Sequence, residues 1–346
     1  MAINKILKGV CIMKKRIFSL ALAVVIIVTC IMLFTGCNDN STDKTVLRIS
    51  EVTHSVFYAP QYLAINLGIF EKYGIEIDLI NGGGADKVMT AVLSNQVDIG
   101  FAGPEATIYV YQQGKTDYPK VFAQLTKRDG CFLVAREPDE NFEWSKLKGK
   151  HVLPGRKGGV PYMTLEYVLK SNGLDTAKDL NFDNSISFDA MTSAFLGGVA
   201  DYVTVFEPTA TVIQNEGRGY IVASVGEASG EIPYTAYFAT QSFLKENKEV
   251  IQNFVDAIYE AQQWILTHSS KEIAEALVPS FSDTDVKVIE QVVDRYKEIG
   301  VWNTTPIMTK ESFNRLQDVI IEAGELSEKV NFDKIVDNSF AEKASN

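Results

Sequence analysis

The sequence predicts an α/β protein of two lobes, with two parallel-type sheets flanked by helices and two hinge crossovers between them. Three observations point there. Short apolar strands alternate with helical stretches of roughly ten residues, the pattern of a sheet covered by helices on both faces. The segment AVLSNQVDIGFAGPEATIYVYQQG, Ala91–Gly114, lies without a gap over AFLGGVADYVTVFEPTATVIQNEG, Ala194–Gly217. Both copies keep one order: helix, aspartate, apolar strand, a turn with an acid and a proline, helix, glycine. Finally, after Tyr234 the chain gives one short strand, Thr235–Thr240, and then mostly helices.

The elements follow in order. Val46–Ser50 alternates as a strand, and Tyr58–Leu67 has helical spacing that Gly68 stops. Ile75–Ile80 is a second strand and Ala85–Ser94 a helix. Val97–Phe101 is a third strand, Pro104–Gln113 a helix opened by a proline suited to a first turn, and Val121–Leu125 a fourth strand. Towards the end, Val250, Phe254, Ile258, Ala261 and Ile265 recur at three- and four-residue steps and predict one apolar helix face. Asp283–Ile299 and Lys310–Ala323 read as further helices, with Asp283 and Thr309 as caps. Lobe one is predicted over 46–138 plus 236–340 and lobe two over 143–233. The chain then crosses between lobes near 138–143 and near 230–236, and such paired crossovers act as a hinge with the ligand between the lobes.

The first 36 residues read as a leader. Lys5, Lys8, Lys14, Lys15 and Arg16 precede the apolar run Ile17–Thr35, which ends in Leu33-Phe34-Thr35-Gly36-Cys37. A basic start and an apolar core make the plan of a secretory signal. The ending is similar to a bacterial lipoprotein processing site, which makes Cys37 the lipidated residue and 37–45 a tether at the outer face of the cell membrane. The competing reading is an uncleaved membrane anchor, since the run approaches the ~20 residues that span a bilayer. Met13, followed by Lys-Lys-Arg, competes with Met1 as the start.

Net charge over the 346 residues is −11, and most negative outside the basic leader. That balance argues against a nucleic-acid partner. Beyond Cys37 only Cys131 remains, so the exported part has no internal disulfide, and its apolar neighbours make it a small buried hydrophobe. His54, His151 and His268 are too scattered for a metal cluster, so neither metal nor cofactor is expected.

Two stretches carry a family likeness: YAPQYLAINLGIFEKYGIEIDLINGGGADKVMTAVLSNQVDIGFAGPEA and DYVTVFEPTATVIQNEG. They resemble the substrate-binding proteins of ABC importers with the type II periplasmic-binding-protein fold. The nearer likeness is to members that take alkanesulfonates, nitrate, thiamine or its pyrimidine precursors. The resemblance spans about 45–330. It implies a monomer that binds a small molecule and docks on permease subunits. It places Phe57 and Tyr58 in the first ligand loop and Gly83, Gly84 and Ala85 at a helix start whose amides receive ligand oxygen. Gly103 and Glu105 form the third turn. Lobe two adds Arg156 to Val160, Tyr162, and Glu207 of the Glu-Pro pair, and Tyr234 and Tyr237 flank the return crossover.

Each residue has a plainer reading. Gly82–Gly84 also suits a flexible bend, Glu105 and Glu207 suit helix starts where an acid meets the dipole, and Tyr58 and Tyr237 suit the core. Asp98 and Asp201 read as buttresses of turns, and His54 as a hydrogen-bonded spacer. Two cleft carboxylates among tyrosines favour an aromatic nitrogen heterocycle of thiamine or pyrimidine type. Arg156 and Lys157 favour an anion such as an alkanesulfonate or taurine. Some relatives of this fold are enzymes that make the thiamine pyrimidine with a cysteine-rich motif, which this chain lacks, so no catalytic residue is assigned.

Overall fold

The computed structural model describes residues 44–346, and the leader, Cys37 and most of the tether lie outside it. Ten strands are present among the described residues. They are β1 (Thr45–Glu51), β2 (Ile75–Asn81), β3 (Ile99–Ala102), β4 (Pro119–Thr126), β5 (Phe132–Ala135), β6 (His151–Leu153), β7 (Asn181–Phe182), β8 (Tyr202–Val205), β9 (Tyr220–Ser224) and β10 (Thr235–Thr240). They form two sheets, ordered β2-β1-β3-β10-β4 and β7-β6-β8-β5-β9. The α/β, two-lobed architecture expected from the alternation is therefore present.

The internal repeat is structural. β3 and β8 occupy corresponding positions in the two sheets and in the gapless overlay. The Arg48 amide at β1 donates to Asp98 Oδ2 at 2.9 Å, and the His151 amide at β6 donates to Asp201 Oδ2 at 2.9 Å. Asp98 and Asp201 thus do the same job, tying the start of β3 to β1 in one sheet and the start of β8 to β6 in the other.

Both sheets are mixed. β10 runs antiparallel to β3 and β4, and β5 antiparallel to β8 and β9. Each is the first strand after a crossover, inserted between two strands of its sheet. All residues of both strands are buried. A run buried on both faces reads the same in either direction, so the apolar pattern does not carry strand direction.

β5 belongs to the second sheet, which moves the first crossover from the expected 138–143 to residues 127–131. The return connection into β10 spans 230–234. The two connections touch: Lys127 Nζ lies 3.2 Å from Glu231 Oε1, and the Ile232 amide donates to Lys127 O at 2.9 Å.

Helix Lys248–Thr267 buries Phe254, Ile258, Ala261 and Ile265 against the first sheet's helical layer. Thr309 caps helix Lys310–Glu322, accepting from the Ser312 amide. The expected cap Asp283 is replaced by Asp285, which accepts from the Lys287 amide at 2.8 Å and starts helix Val286–Glu298 two residues later. That helix spans the lobe junction. Its Tyr296 hydroxyl donates to Gly130 O in the first crossover at 3.0 Å and accepts from the Glu207 amide of lobe two at 3.1 Å.

Candidate functional site

Strand ends from both sheets converge on a cavity of about 300 Å³ between the lobes. Lobe one supplies the turns after β1, β2 and β3. Lobe two supplies the turn into helix Val160–Ser171, the 184–189 loop after β7, and Phe206 after β8. Tyr234 and Thr235 of the return crossover close the wall. Such turns line cavities because a strand end and the following helix start leave backbone and side chains unpaired at the sheet rim.

Glu105 is the central polar group. It opens helix Glu105–Gln112, is 1 % exposed, and its Oε2 has no hydrogen-bond partner among the described residues. Burial pushes its carboxyl up to about 7, against the pull of nearby backbone amides, including Val160 at the lobe-two helix start, and of Arg156. Its place depends on Gly103, since a Cβ there would come within 2.0 Å of Glu105 Oε2.

The glycine bend before helix Ala85–Leu93 is a built feature. Gly83 and Gly84 have φ of 69° and 151°, a region that favours glycine. The Gly83 amide donates to Asn81 Oδ1 at 3.0 Å. Of the amides expected at this turn, Gly83's therefore serves the turn itself.

The aromatic wall consists of Tyr58, Tyr234, Phe188 and Phe206. The Tyr58 ring meets Phe101 edge-on at 4.5 Å. Tyr234 stands edge-on to Phe206 at 6.1 Å, and its hydroxyl lies 3.6 Å from Cys131 Sγ. Cys131 is buried, as expected. At the rim, Arg156 Nε lies 3.4 Å from Asp86 Oδ1, and Lys87 Nζ 3.6 Å from Asp189 Oδ2. Both pairs join lobe one to lobe two.

Of the residues singled out in the sequence, Tyr58, Gly83, Gly84, Ala85, Gly103, Glu105, Arg156, Val160 and Tyr234 line the cavity. Four do not. Phe57 lies behind the wall, stacked on Phe206 at 5.2 Å, in a space that exists because residue 130 is glycine. Tyr162 packs on Phe182 at 4.8 Å. Tyr237 lies deeper along β10, stacked on Phe101 at 4.3 Å with its hydroxyl donating to Gln61 Oε1. Glu207 lies outside this cavity, its carboxylate pairing with Arg295 and accepting from the Thr211 amide at 2.8 Å and Thr211 Oγ1 at 2.9 Å.

Thr235, Asp86, Lys87, Phe206 and the Asn184–Asp189 loop were not anticipated. Phe206 stands beside Glu207, so the Phe-Glu-Pro triplet did hold a wall residue, but the phenylalanine rather than the acid. The 184–189 loop bears no motif and reaches the cavity only because β7 ends there.

A ligand-sized cavity between two lobes built on mixed five-stranded sheets is the arrangement of periplasmic-type binding proteins. The chain belongs to the NMT1-like family, whose profile matches residues 49–278. It is 43% identical over 310 residues to YtlA of Bacillus subtilis (strain 168), a candidate binding protein, with 90% of this chain and 92% of that one covered. Its fold is similar to the alkanesulfonate-binding protein SsuA from Xanthomonas axonopodis pv. citri, solved with MOPS. There the TM-score is 0.70 at 16% identity, covering 86% of this chain and 99% of that one. It is also similar to the periplasmic nitrate-binding protein NrtA from Synechocystis PCC 6803, with a TM-score of 0.69 at 17% identity, covering 88% and 89%.

Proposed function

We propose that this chain is the extracytoplasmic substrate-binding component of an ABC importer and captures an amino-bearing aromatic heterocycle of thiamine or pyrimidine type. The observation that carries the ligand class is Glu105, a buried carboxylate with an unpartnered oxygen in an otherwise largely aromatic and apolar wall. Such an oxygen asks for a donor from the ligand. An exocyclic ring amine supplies one, while Tyr58, Tyr234 and Phe206 offer faces and edges to the ring. The importer role draws on the fold shared with SsuA and NrtA and on the kinship with YtlA.

Arg156 in the wall supports a second reading, an alkanesulfonate or taurine. Against it, Arg156 is paired with Asp86, and Glu105 would repel an anion. Calorimetric titration with thiamine, 4-amino-5-hydroxymethyl-2-methylpyrimidine and taurine separates the two. Glu105→Gln should weaken heterocycle binding by about 2–5 kcal/mol, roughly 30-fold or more, and should strengthen any taurine binding. Wild type that binds taurine and neither heterocycle would reject the first reading.

Lipid anchoring at Cys37, which lies outside the described residues, belongs to the same proposal. Cys37→Ala should release the protein from the membrane fraction or leave it unprocessed. Retention with normal processing counts against the anchor. Docking on permease subunits as a monomer completes the picture, and co-purification with a permease encoded nearby tests it.

A further inference from the structure

A second cavity of about 300 Å³ adjoins the first. The two share Val52, Gly83, Phe188, Asp189 and Phe206, so they are compartments of one cleft. Phe188 and Phe206, whose rings stand edge-on 6.0 Å apart, lie on the shared wall.

The chemistry of the compartments differs. The first holds aromatic faces and the unpartnered Glu105 oxygen. The second adds five neutral hydrogen-bonding side chains to its apolar wall residues: Asn81, Thr53, Thr192, Thr204 and Thr209. No lysine or arginine lines it. Its acids are accounted for: Glu207 is neutralised by Arg295, and Asp189 pairs with Lys87. His54 contributes to the wall, but its ring nitrogens lie 3.2 Å from Glu51 Oε1 and 2.7 Å from Ser280 O.

We infer that the second compartment is a subsite for the other half of a two-part ligand: a hydroxyl-bearing arm without negative charge, joined to the ring held in the first. The inference rests on the amino-ring reading of the first compartment. The hydroxyls of Thr53, Thr192 and Thr209 and the Asn81 amide can exchange hydrogen bonds with a hydroxyl-bearing arm of neutral or positive charge, whereas a phosphate or carboxylate would enter a wall that no lysine or arginine lines. Size agrees: one compartment alone sits at the bottom of the ~300–1,000 Å³ range of small-molecule sites, and the two together fall well within it.

Three probes test this by calorimetry: 4-amino-5-hydroxymethyl-2-methylpyrimidine, thiamine and thiamine monophosphate. Thiamine should bind at least tenfold more tightly than the pyrimidine alone, and the monophosphate more weakly than thiamine. Thr192→Leu, which fills the second compartment from a half-buried position, should remove the thiamine advantage and leave pyrimidine binding within about twofold. Thr209→Val, which deletes a half-buried hydroxyl of the same compartment at nearly constant shape, should take away part of that advantage. A pyrimidine that binds while thiamine gains nothing overturns the subsite and leaves the amino-ring reading standing. So does a monophosphate that binds more tightly than thiamine, or a Thr192→Leu variant that weakens both ligands equally. If neither pyrimidine nor thiamine binds, the amino-ring reading fails and the subsite fails with it.

Discussion

The Glu105 carboxylate, two residues along the same turn, occupies the space that a side chain on Gly103 would need. A Cβ on Gly103 would also fall 2.7 Å from the Glu105 carboxyl carbon. Gly103 is absent from the positive-φ glycines, so the glycine is required here for room and not for backbone conformation.

Gly103→Ala should therefore displace Glu105 and disturb the cavity. A buried overpacked contact costs about 1–3 kcal/mol, and ligand affinity should fall tenfold or more. Thermal melts with ligand titration check both. The double variant Gly103→Ala/Glu105→Ala should regain much of the lost stability. A single variant as stable as wild type would show that the contact is not tight.

The Glu207–Arg295 pair joins lobe two to helix Val286–Glu298 with the Glu207 side chain fully buried. Burial pushes the Glu207 carboxyl up, and Arg295 and Thr211 oppose the shift. Arg295→Met strands that carboxylate, at a cost of about 3–5 kcal/mol. Glu207→Gln combined with Arg295→Met should recover most of it. Urea denaturation distinguishes the outcomes, and equal losses in the single and double variants would argue against the pairing.

Asp129 in the first crossover is buried, and its carboxyl is pushed by that burial from 3.8 up to about 7. One oxygen accepts from the Cys131 amide at 2.6 Å, and the other has no hydrogen-bond partner among the described residues. A raised carboxyl means that the folded state holds its proton at pH values where the unfolded chain has lost it. The ligand-free protein should accordingly lose stability as pH rises from about 4 to about 7 and level off above. Glu105, raised to about 7 by the same cause, adds a parallel slope, so Asp129→Asn should remove about half of it and raise the melting temperature at pH 8, by an effect on the order of 1–3 kcal/mol. A wild-type slope unchanged in the variant would assign it elsewhere.

Glu105, held at about 7 by burial, should couple binding to protons. If an amine donates to the ionised carboxylate, affinity should rise with pH through 6 to 8, at most about tenfold per unit below the pKa. Calorimetry in buffers of different ionisation enthalpy should then detect proton release, and Glu105→Gln should abolish it. Proton uptake in place of release would mean that the protonated carboxyl is the bound form.

The rim pairs Asp86–Arg156 and Lys87–Asp189 are half-exposed on both sides. Each should contribute about 0.2–1 kcal/mol to closure and weaken with salt. Lys87→Asp should lower affinity by less than about tenfold at low ionic strength, and the deficit should shrink at 0.5 M salt. A deficit that grows with salt would remove the electrostatic account.

The sequence by itself determined the strand–helix alternation, the repeat and the turns that face the cleft. Those signals are local: spacing sets which face is apolar, and a glycine or proline marks a turn whatever surrounds it. Nine of the thirteen residues singled out line the cavity for that reason, since each lies at a strand end or helix start. Tertiary structure alone decided the rest. β5 and β10 are buried on both faces, so only pairing sets their direction and places the first crossover at 127–131. Glu105 and Glu207 have matching sequence contexts, yet one carboxylate meets the cavity and the other meets Arg295. That partner is supplied by a helix 88 residues further along the chain, which spacing within the repeat cannot register.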